Sequence, residues 1–90
     1  AFLHSSDERL KTDIETIDDP MALLNNLRGV SYKWKEDGQP ALGFIAQEVE
    51  KVAPQAVDTD DETGMKSVEY DQIIAPLVEA VKAQQKQIEA

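Results

Sequence analysis

Apolar positions along this 90-residue chain change their spacing several times, and each change predicts an element. Leu10, Thr12, Ile14 and Thr16 alternate weakly, which predicts a short strand or an extended arm. Asp18-Asp19-Pro20 then signals a helix start, with Asp19 as cap and Pro20 at the first helical position. Met21, Leu23, Leu24 and Leu27 give that helix an apolar stripe, and Gly29 ends it. Val30 to Trp34 alternates apolar with polar and carries β-formers, so a half-buried strand is expected. Glu36-Asp37-Gly38-Gln39-Pro40 is a turn. Leu42 to Ala53 predicts a second helix, with Ile45, Val49 and Val52 on one face and Pro54 closing it.

Ala56-Val57 and Met65 to Tyr70 predict a β-hairpin around an acidic loop, Asp58 to Gly64. The loop's carboxylates (Asp58, Asp60, Asp61, Glu62) do not fall at calcium-loop positions, so a solvated turn is expected there. From Asp71 onward Ile74, Leu77, Val81, Gln84 and Ile88 recur at spacings of three and four, the seam of a coiled coil. Asp71 is the expected cap, and Pro76 is tolerable because it falls early in the helix. The same periodicity also fits an amphipathic helix packed on its own domain. The expected fold class is α+β: short antiparallel strands, two short helices and a long C-terminal helix.

Composition narrows the setting. Hydrophobic residues are 41% and aromatics 6%, so the core of one small domain is thin, and self-association is the usual remedy without disulfides or metals. Trp34, Tyr32, Phe44 and Leu27 are expected to pack together in it. Cysteine is absent and His4 is the one histidine, so no metal or other cofactor is expected. Eighteen acidic against nine basic residues give a net charge of −9, which disfavours nucleic acid and anionic membrane. No apolar run is long enough to span a bilayer, and no basic-start signal peptide is seen. Partners are expected to be proteins.

The candidate chemistry lies at Ser6-Asp7-Glu8-Arg9-Leu10-Lys11. A serine hydroxyl is a weak nucleophile until a base takes its proton, and lysine serves only as a neutral amine. Burial or a nearby cation supplies that condition; Arg9 helps, while Asp7 and Glu8 oppose it. Positions five apart face away from each other in a strand or a helix. Ser6 and Lys11 therefore meet only across a bend, or between neighbouring subunits. His4, two residues before Ser6, reads as incidental.

The Ser-Asp-x-Arg-x-Lys pattern is followed by the aromatic strand Val30, Tyr32, Trp34 and by Gly43-Phe44-Ile45-Ala46-Gln47-Glu48-Val49. Val68-x-Tyr70 and the Pro76 to Lys82 segment come next. In this order they resemble the C-terminal intramolecular chaperones of endosialidase-type phage tailspikes and tail fibres, from about Ser5 to Gln87. The resemblance implies a homotrimer that folds an upstream fibre or spike and then cuts itself off before the serine. Ser6 would be the nucleophile, Lys11 its base, and Ser5–Ser6 the cut bond. Asp7 and Arg9 match motif positions as support, by salt bridge or in the chemistry, and Gln47 and Glu48 read as helix-surface polarity. It divides the chain into an upstream end (1–5), a chaperone and self-cleavage domain (6–70) and a trimeric coiled-coil helix (71–90). It further implies a virion precursor made in the host cytoplasm and released after cleavage. The competing reading is a non-catalytic trimerisation module capping a fibrous protein; a calcium-dependent adhesion module would require metal-dependent melting.

Overall fold

The computed structural model describes residues 5–89. Helix α1 (Pro20–Asn25) starts where the sequence predicts: the Asp19 carboxylate accepts from the Ala22 N–H, and Pro20 occupies the first turn. It ends earlier than expected, with Asn26 as its C-cap rather than at Gly29. The Asn26 side-chain amide donates back to the Ala22 carbonyl, satisfying an acceptor the helix end leaves open.

Strand β1 (Val30–Lys33) pairs antiparallel with β2 (Pro40–Gly43), Val30 opposite Gly43 and Lys33 opposite Pro40. Strand β2 replaces the first turn of the helix expected from Leu42; α2 runs only from Ala46 to Val52. Gly43 suits its place, because a Cβ there would stand 2.8 Å from the Tyr70 hydroxyl. A 3-10 turn (Pro54–Ala56) leads to the second hairpin, β3 (Val57–Thr59) with β4 (Lys66–Val68). At its tip the Asp60 carboxylate accepts from the Glu62 and Thr63 N–H groups, so the acidic loop is a tight turn. Helix α3 (Asp71–Glu89) follows directly. Asp71, the expected cap, lies inside the helix; the Glu69 carbonyl accepts from the Gln72 N–H and the Tyr70 carbonyl from those of Ile73 and Ile74.

The core is Val49, Ala53, Ala56 and Ile73, with Leu27, Phe44, Val57 and Val68 packed against it. Small residues in the α2 end and the 3-10 turn let that segment close on the first turn of α3. The expected aromatic centre is only half realised. Phe44 and Leu27 join the core, whereas Trp34 is 55% exposed and meets Tyr32 edge-on at 5.0 Å, outside it. Trp34 follows the last ladder pair, Lys33 with Pro40, at the open end of a two-stranded sheet, and Tyr32 is the ring it packs against.

Helix α3 has three sectors. Ile73, Pro76 and Ala80 are buried, towards the core and α1. Glu15, Thr16 and Ile17 of the amino-terminal arm line a cleft with Ala75, Val78, Glu79 and Lys82. The remaining sector carries Ile74, Leu77, Val81 and Ile88, between 48% and 78% exposed, together with exposed Gln84. The reading of a helix packed on its own domain therefore holds, and the residues of the expected seam are left exposed on another face. The radius of gyration is 15.7 Å, against about 12 Å for a compact chain of this length. A 19-residue helix and an unpaired arm account for the excess.

Candidate active site

After Ser5 and Ser6, a 3-10 turn (Glu8–Leu10) reverses the chain. Its N-cap is Asp7, whose Oδ1 accepts from the Arg9 backbone N–H at 2.9 Å. The Arg9 guanidinium folds back onto the same carboxylate, Nε to Oδ1 at 3.0 Å and Nη2 to Oδ2 at 2.9 Å. Backbone bonds from Leu10 to Asp7 and from Lys11 to Glu8 close the turn. Lys11 itself is extended, and its Nζ donates to Ser6 Oγ at 2.7 Å. Of the two routes by which the pair could meet, the bend within one chain is the one seen here.

Asp-x-Arg is the local signal for that bend. A short acidic side chain that caps the N–H two residues on competes with strand and helix alike. The sequence pattern names Asp7 and Arg9 as support, and their turn-forming role could have been read from it. The Arg9 guanidinium, with its backbone N–H, holds the Asp7 carboxyl below the usual carboxylate range. The ion pair is exposed, 88% for Arg9 and 47% for Asp7, so its contribution is to shape more than to stability.

Ser5, Ser6, Asp7, Arg9 and Lys11 are all exposed. One chain brings the Ser6 hydroxyl and the Lys11 amine into contact and leaves both exposed. Glu48 is not free to assist, since Arg28 grips it at 2.7 and 3.1 Å and lowers its pKa. Gln47 is exposed on α2, and His4 lies outside the described residues. Among the described residues no cluster of His, Cys, Asp or Glu could hold a metal ion, and no helix is long and apolar enough to cross a membrane.

The sequence profile of a peptidase family, the chaperone of endosialidase, matches residues 6–58, from Ser6 to β3. The chain belongs to that family. It is also 35% identical to the long tail fiber protein Gp37 of Salmonella phage S16, over 94 aligned positions covering 93% of this chain. Those positions are 13% of the relative, so the chain spans about an eighth of that protein's length. As a family member its fold is the expected small α+β domain, with two antiparallel strand pairs, short helices and a long C-terminal helix. Helix α3 lies beyond the residues that the family profile matches.

Proposed function

We propose that this domain is the chaperone of a phage tail fibre: three copies associate through α3, hold the upstream chains in register, and then release themselves by cutting Ser5–Ser6. The observation that carries the chemistry is the 2.7 Å contact from Lys11 Nζ to Ser6 Oγ, in a family of peptidases whose match begins at Ser6. The tail-fibre setting is supported by the likeness to the long tail fiber protein.

Lys11, as the neutral amine, takes the Ser6 hydroxyl proton while Oγ attacks the Ser5 carbonyl carbon. Because Oγ belongs to the residue just after that carbonyl, the tetrahedral intermediate is a five-membered ring. Lys11 returns the proton to the Ser6 nitrogen, the C–N bond breaks, and an ester joins the Ser5 acyl group to Ser6 Oγ. Water then hydrolyses the ester, leaving a Ser5 carboxylate on the upstream product and a free Ser6 on the domain. The dyad's exposure in one chain argues that packing of neighbouring copies supplies the desolvation a neutral lysine requires. Chemistry then waits for assembly, and cutting after assembly makes the folded upstream product hard to reverse.

The oligomer rests on the free sector of α3. Ile74, Val81 and Ile88 occupy one seam position and Leu77 and Gln84 the other, which leaves two and three strands both accessible to the core residues. Three is chosen from the family. The test is expression of the domain with its natural upstream segment, as wild type and as Ser6→Ala. A size shift in wild type alone supports the proposal; an uncut wild type that still associates makes this a non-catalytic assembly module.

A further inference from the structure

The two hairpins and α2 enclose an open groove of about 700 Å³. Its walls carry four aromatic rings, Tyr32, Trp34, Phe44 and Tyr70, of which Tyr70 and Trp34 are about half exposed. Its charge is opposite to that of the chain. Lys33, Lys35 and Lys66 line it against one acid, Glu36, in a protein of net charge −9. Lys66 is held by Glu50 at 3.1 Å; Lys33 and Lys35 form no ion pair among the described residues. Among the described residues each hairpin is two-stranded, so β1 and β4, which both contribute to the groove, each keep an unpaired edge.

The amino-terminal arm has the complementary properties. From Thr12 to Asp18 it carries Asp13, Glu15 and Asp18 and no base. Its alternation suits an extended strand, yet it pairs with none among the described residues, and Ile14 is 64% exposed. In its own copy the arm runs beside α3, in a cleft that shares no residue with the groove. We infer that the groove between the hairpins receives residues 12–18 of a second copy, with Ile14 against the Trp34 and Tyr70 rings and the arm's carboxylates facing Lys33 and Lys35. Main-chain pairing to an open strand edge holds the segment, and the alternate side chain selects it. Arm-to-groove contact is head-to-tail, and such contacts close into a ring when the rotation between copies permits it.

Trp34 is the chain's one tryptophan, so its fluorescence reads the groove directly. The full chain is titrated in concentration, with mass followed by light scattering and Trp34 emission in parallel. The expected result is a blue shift that rises with association. Ile14→Asp and Lys33→Glu/Lys35→Glu should each abolish the shift and weaken association roughly tenfold or more, the cost of losing one buried apolar anchor or a matched charge pair. Reversing both sides in one chain, Asp13→Lys/Glu15→Lys with Lys33→Glu/Lys35→Glu, should restore the shift. A synthetic peptide of residues 11–19, added to the Ile14→Asp chain, should shift its emission where a scrambled peptide does not. Association without an emission change would overturn the inference and leave the chaperone reading standing. A shift independent of concentration would place the chain's own arm in the groove and overturn it as well.

Discussion

Replacing Val49 with alanine tests where the core sits. Val49 is 1% exposed and is enclosed by Ala53, Ala56 and Ile73 with Leu27, Phe44, Val57 and Val68 around them. The substitution deletes two methyl groups, about 1.6 kcal/mol of transfer free energy at about 0.8 kcal/mol each. A residual cavity adds to that, because the surrounding alanines have no side-chain length with which to fill it, so the total is about 2–3 kcal/mol. A domain of this size has roughly 5–13 kcal/mol of stability in all. At about 4–8 °C per kcal/mol the melting temperature should fall by roughly 10–20 °C. The control is Leu42→Ala on β2, which removes more carbon but from a side chain 83% exposed. It should change stability by no more than about 0.5 kcal/mol. Both are measured by thermal circular dichroism at one protein concentration, since association raises the melting temperature by mass action. A Leu42→Ala protein that melts as low as Val49→Ala would refute the placement of the core.

If α3 carries the proposed seam, Leu77→Lys should give a monomer by light scattering where wild type associates, with the helical signal nearly unchanged, since the core-facing Ile73, Pro76 and Ala80 are untouched. Asp60, held below its ordinary value of 3.8 by the Thr63 and Glu62 N–H groups, contributes stability above the unfolded carboxylate pKa that is lost as pH falls through its lower folded value. Asp60→Asn should therefore flatten the acid limb of the stability–pH curve, and an unchanged limb would contradict the tip's capping role. Asp7→Ala removes the cap and the Arg9 clamp from the turn, so cleavage should slow strongly while the melting temperature stays within a few degrees. Equal cleavage rates would show that the turn does not position the dyad.

Much of the fold was legible because its signals are local. Asp19-Pro20 caps a helix, Val30 to Lys33 alternates, and α3 follows its periodicity to Glu89. Strand β2 was not legible: Pro40-Ala41-Leu42-Gly43 has no β-branched residue and reads as the approach to a helix. What makes it a strand is its partner β1 and the space Gly43 leaves for Tyr70, both tertiary facts. Trp34 was expected inside on size and hydrophobicity, which do not tell whether anything covers the end of a two-stranded sheet. At the candidate site Ser6 and Lys11 were named from the sequence pattern, but their contact was not legible, since five-residue spacing separates them in regular structure. The Asp7–Arg9 turn supplies the bend.

The most direct test of the account is the cleavage of Lys11→Arg beside wild type, each carrying its upstream segment, with the released domain weighed by mass spectrometry. Arginine keeps the charge but stays protonated in proteins, so it cannot take the Ser6 proton. The account predicts a wild-type product that begins at Ser6 and no product from Lys11→Arg, although both assemble equally. Efficient release of the same product by Lys11→Arg would contradict it, and would leave the 2.7 Å contact as a hydrogen bond without chemistry.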